Sequence, residues 1–62
     1  MTECRYEVEE TEGGSWVLLL FKNDREVERR AFPPRPDLWP DAARRRAYID
    51  AQQEGQDWLA AQ

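Results

Sequence analysis

The stretch Ser15-Trp16-Val17-Leu18-Leu19-Leu20-Phe21-Lys22, followed at once by Asn23-Asp24, decides how this chain folds. Its apolar run, Trp16 to Phe21, has the length of a strand and is far too short to cross a membrane. Asn23 and Asp24 both tolerate the left-handed backbone that a tight two-residue hairpin turn requires. The chain therefore reverses there. Residues 25–32, Arg-Glu-Val-Glu-Arg-Arg-Ala-Phe, return as a second, amphipathic strand.

Upstream, residues 4–10 alternate strictly. Cys4, Tyr6 and Val8 point one way, and Arg5, Glu7 and Glu9 the other, as in a half-buried strand. Thr11-Glu12-Gly13-Gly14 joins this strand to the apolar run, with two glycines free to take positive φ. Three strands are predicted, at about 4–10, 15–22 and 25–32.

Downstream, Pro33-Pro34-Arg35-Pro36 can form neither strand nor helix interior and reads as a stiff connector. The Pro33–Pro36 spacing is also that of a segment docking in an SH3-like groove, but a rigid linker is the preferred reading. A helix is predicted from about residue 38 or 41 to 61. Asp37 or Asp41 is placed to cap it, and Pro40 is tolerated in its first turn. At helical spacing Ala43, Ala47, Ala51 and Gly55 share a face with Tyr48, Trp58 and Leu59. A column of small residues lets the helix lie close to the sheet, against large partners expected to be Tyr6, Trp16, Leu18 and Leu20. Residues 1–62 thus read as one α+β domain, a three-stranded antiparallel β-meander with one C-terminal α-helix packed on one face (βββα).

A regular hairpin at Asn23-Asp24 pairs Lys22 with Arg25, Leu20 with Val27, Leu18 with Arg29 and Trp16 with Ala31. These residues face the helix. Val17, Leu19 and Phe21 then lie on the opposite face, between Arg5, Glu7 and Glu9 on one side and Glu26, Glu28 and Arg30 on the other. The central strand is apolar on both faces, yet the chain has one helix to cover them.

The 62 residues carry nine basic and thirteen acidic side chains, net −4, with no His and one Cys. Without His, and with Cys4 alone, neither Ser-His nor Cys-His catalysis is available, and nearly every zinc or haem site is excluded. Gly13-Gly14 is followed by Ser15-Trp16, so there is no phosphate-binding loop. Glu7, Glu9, Glu26 and Glu28 read as a solvated charged face, not as a catalytic acid pair. No enzyme activity, cofactor or metal is expected. No basic and apolar leader opens the sequence and no membrane span is present, so a cytoplasmic location is expected. Eight Arg against one Lys suggest a GC-rich bacterial or phage source.

The expected function is protein binding or regulation, as a homodimer joined through Val17, Leu19 and Phe21 with Glu7, Glu9, Glu26 and Glu28 at the rim. One alternative is an acidic nucleic-acid mimic, inhibiting a host-defence or transcription protein on behalf of a mobile element. Another is a small nucleic-acid-binding module using Arg30, Arg35, Arg44, Arg45 and Arg46. Net negative charge argues against it, because phosphate contacts dominate such affinity.

Overall fold

The structure, a computed structural model, describes residues 2–62. The central strand β2 (Trp16–Lys22) lies between β1 (Cys4–Glu10) and β3 (Arg25–Phe32) in one antiparallel sheet of order β1-β2-β3. A 21-residue helix α1 (Pro40–Ala60) crosses one face of it. The βββα architecture expected from the sequence is the one observed.

Both turns follow from their residues. Asn23 and Asp24 take φ of 51° and 64°, the left-handed pair of a two-residue hairpin. The Asn23 side chain accepts the Glu3 amide at 3.0 Å, while its own amide donates to the Glu3 carbonyl at 2.7 Å, tying the turn to the start of β1. The β1–β2 connection is a short 3-10 turn, Glu12–Gly14, in which Gly13 and Gly14 have φ of 76° and 79°.

Strand β1 pairs with β2 in unbroken register, Tyr6 opposite Leu20, Glu7 opposite Leu19 and Val8 opposite Leu18. The β2–β3 pairing begins as expected, Lys22 opposite Arg25 and Phe21 opposite Glu26, but then shifts by one residue. Leu20 faces Glu28, Leu18 faces Arg30 and Trp16 faces Phe32, leaving Val27 as the extra residue of a β-bulge. The expected placements of Glu28 and Arg30 on the open face, and of Arg29 and Ala31 under the helix, are therefore reversed. The cause is Phe32. A two-residue turn fixes the start of the register, and a regular strand would carry Phe32 to the face away from the helix. One extra residue reverses the parity of everything beyond it, and Phe32 packs against the core of Leu18, Leu20 and Ala51.

The helix lies close to the sheet because its inner column is small. Ala43, Ala47, Ala51 and Gly55 are all buried. Tyr6, Val8 and Trp58 fill the space around them. The Tyr6 hydroxyl donates to Gln52 Oε1 at 2.8 Å, and Gln52 Nε2 donates to the Tyr48 hydroxyl at 2.8 Å. The Tyr48 ring meets Trp16 edge-on, with centroids 4.7 Å apart.

The helix start departs from expectation. Its N-cap position is Trp39, which offers no side-chain cap, and neither Asp37 nor Asp41 fills that place. Pro40 fixes the first helical residue, and the Asp37 carboxylate is bonded instead to the Arg35 guanidinium, at 3.0 and 3.2 Å. Among the described residues no helix is long and apolar enough to cross a membrane.

One sheet layer and one helix make a thin slab of 43 × 20 × 11 Å. Its radius of gyration is 12.5 Å, against about 10.6 Å for a compact chain of this length. Its accessible surface is 4664 Å², against roughly 4,200 Å² for a compact fold of this mass. The chain exposes more surface than its size requires.

Candidate functional site

The sheet face away from the helix carries Val17, Leu19 and Phe21 as expected. The bulge changes their surroundings on the β3 side to Ala31, Arg29 and Glu26. On the β1 side stand Glu9, Glu7 and Arg5. These side chains cover much of the stripe. The Arg5 guanidinium lies 4.1 Å from the centre of the Phe21 ring and holds Glu7 at 3.1 Å. Arg29 holds Glu26 at 2.8 Å. Beneath them Leu19 is only 6% exposed, and Val17 and Phe21 are half-buried. Long charged side chains that lay their stems along apolar surface produce this arrangement within one chain. Glu28, expected at the rim, is across the sheet on the helix side, opposite Leu20.

Four of the five arginines singled out for nucleic acid are paired with carboxylates. Arg30 is bonded to Glu28 and to Glu54 of the helix. The hydrogen bond that Arg30 donates to Glu28 raises the Arg30 pKa above its ordinary value. Arg35 holds Asp37, Arg44 holds Glu10 at 2.7 Å and Arg46 holds Asp50 at 3.0 Å. Arg45 is exposed on the helix and takes part in none of these pairs.

A different surface stands out at the join of connector and helix. Trp39 is 84% exposed, with Leu38 at 37% beside it. Pro36 and Pro40 flank the pair, and a turn from Arg35 to Leu38 closes through the Leu38 amide. Next to it runs a groove of about 510 Å³ between the β1–β2 turn, the connector and the first turn of the helix. Pro34, Pro36, Leu38, Pro40 and Ala43 give it apolar walls, and Arg35, Asp41 and Arg44 line it as well. Asp41 and Arg44 also border a second groove of about 380 Å³, whose other walls are Trp16, Arg45 and Tyr48. The Trp16 indole N–H is sealed from solvent with no acceptor among the described residues.

Sequence reading does not single out Trp39. The available signal was local: a Leu-Trp pair between two prolines, in a segment excluded from strand and helix interiors. Among the described residues no three His, Cys, Asp or Glu side chains come together as metal ligands. Cys4 is a half-buried free thiol on β1. Comparison with protein-family models, with curated proteins and with solved structures finds no match to this chain.

Proposed function

We propose that this chain is a non-enzymatic protein-binding domain that docks through the surface around Trp39. One observation carries the reading: a Trp that is 84% exposed, in a segment whose backbone Pro36 and Pro40 restrict on either side. Large aromatic side chains dominate binding energy at protein interfaces, and a rigid support lowers the entropy lost on docking. The excess accessible surface of the slab favours the same reading. The stripe of Val17, Leu19 and Phe21, expected to be the contact, has its centre already covered by the chain's own Arg and Glu side chains.

The test is photo-crosslinking in cells of the source organism. A photoreactive phenylalanine analogue is placed at position 38, beside Trp39, or at position 21 on the open sheet face. Discrete protein adducts from position 38, absent from position 21 and lost when Trp39→Ala is added, support the reading. Adducts from position 21 alone overturn it in favour of the stripe.

A further inference from the structure

We propose that the occupant of this surface is a second copy of the same chain, with Trp39 of each copy entering the groove beside the other's Trp39. The proposal rests on the reading of the Trp39 surface as a docking site and identifies what docks there.

The groove specifies the chemistry of its ligand. Its walls join apolar Pro34, Pro36, Leu38, Pro40 and Ala43 to charged Arg35, Asp41 and Arg44, and at Gly13 and Gly14 nothing lies within 4 Å of where a Cβ would stand, so the β1–β2 turn leaves it open. Arg44, shared with the second groove, and Arg45 and Tyr48 beyond it offer guanidinium and aromatic surfaces to an incoming π-system. Asp41, bordering both grooves, is an exposed carboxylate outside the ion pairs around it, in which Arg44 holds Glu10 and Arg46 holds Asp50. A flat aromatic group with an N–H donor, attached to apolar neighbours, meets these features. An indole flanked by leucine and proline has that chemistry, and this chain projects one, two residues from Asp41.

Symmetry makes the match reciprocal. Leu38 and Pro40 line the groove while Trp39, between them, does not. Anchor and receptor therefore adjoin on one edge of the molecule. A single two-fold axis passing between them forms both contacts at once, which is the closed geometry of most homodimers. Each Trp contributes roughly 150–250 Å² of contact, and the axis supplies it twice. The charges at this edge are mixed, with Arg35 held by Asp37 and Arg45 near Asp41, so two copies meet without a like-charge block.

Sedimentation equilibrium of the full chain, from low micromolar to near-millimolar concentration, tests the proposal. A monomer–dimer equilibrium is expected. Trp39→Ala should weaken it at least tenfold, and Trp39→Phe should lie between. Trp39 is outside the core, so circular dichroism should show both variants folded. A groove-side variant, Asp41→Ala, should weaken the dimer while leaving Trp39 intact. Mixed with Trp39→Ala, it should form a heterodimer that retains one undamaged anchor–groove contact. A chain monomeric throughout the range overturns the proposal, even where crosslinks from position 38 to another protein leave the docking surface standing. A dimer indifferent to Trp39→Ala but lost in Phe21→Lys overturns both the proposal and the reading beneath it.

Discussion

Tyr6 and Gly55 are packed so closely that a Cβ on Gly55 would stand 2.5 Å from Tyr6 Cδ2 and 2.7 Å from Tyr6 Cγ. Atoms at the base of a ring cannot swing aside as the tip of a long side chain can. Gly55 is therefore the residue that sets how near the helix comes to β1. Gly→Ala in a helix interior ordinarily stabilises by about 1 kcal/mol, but overpacking costs about 1–3 kcal/mol. Gly55→Ala should lower the urea midpoint. In a Tyr6→Ala background the same change should raise it, and this reversal of sign separates packing from helix propensity.

The bulge yields a prediction about chain length. Val27 is 52% exposed and has no residue opposite it in β2. Deleting Val27 leaves every other cross-strand pair in place, because Glu28 already faces Leu20 and Phe32 already faces Trp16. The deletion variant should fold with stability within about 1 kcal/mol of the parent, read by chemical denaturation, whereas loss of a strand residue normally turns side chains to the wrong face. A regular β3 is also a better edge for pairing with another chain. The variant should accordingly self-associate more readily in sedimentation.

The hairpin turn predicts opposite outcomes at adjacent residues. Asn23 bonds to the Glu3 backbone through both its side chain and its amide, so Asn23→Ala loses a hydrogen bond and meets a strained left-handed backbone. It should destabilise by about 1–2 kcal/mol. Asp24 has a φ of 64° and contacts Arg5 only at 3.7 Å. Asp24→Gly should stabilise by up to about 1 kcal/mol, since glycine adopts this conformation without steric cost. Thermal unfolding of the two variants side by side checks the sign of each.

The open sheet face is predicted to behave as a second, thin core. Leu19→Ala should cost about 2–4 kcal/mol, the range for a buried leucine, although Leu19 is on the face away from the helix. Ile49→Ala, at a residue 46% exposed, should change stability by no more than about 0.5 kcal/mol. Arg5→Ala should cost about 0.5–1 kcal/mol through the lost contact with Phe21, and should increase binding of a dye that reports exposed apolar surface. An unchanged denaturation midpoint for Leu19→Ala would show that the charged cover does not seal the stripe.

The turns and the helix face were legible because each rests on a short-range rule. Asn23-Asp24 calls for positive φ, and the spacing of Ala43, Ala47, Ala51 and Gly55 at four residues marks a helix face. The bulge was hidden because Glu26-Val27-Glu28 alternates like an ordinary strand. Its trace in the sequence was the parity of Phe32, which a regular register would have put out of phase with Trp16. The helix start was misread because Asp37 and Asp41 are better capping residues than Trp39, and the competing bond from Arg35 to Asp37 depends on how the connector turns. The proposed docking surface was the least legible part. Exposure of Trp39 is a property of the assembled edge, and an apolar residue in a sequence carries no mark of whether it will be buried.

The helix is preceded by a residue whose side chain does nothing to cap it. Asp or Asn at position 39 would bond the free amides of the first turn and add roughly 1 kcal/mol, a large fraction of the roughly 3–5 kcal/mol that a core of this size supplies. Stability is available at this position and the chain does without it. Selection of thermostable variants from a random library should therefore reach position 39 early, and the winners there should be those that lose the proposed docking.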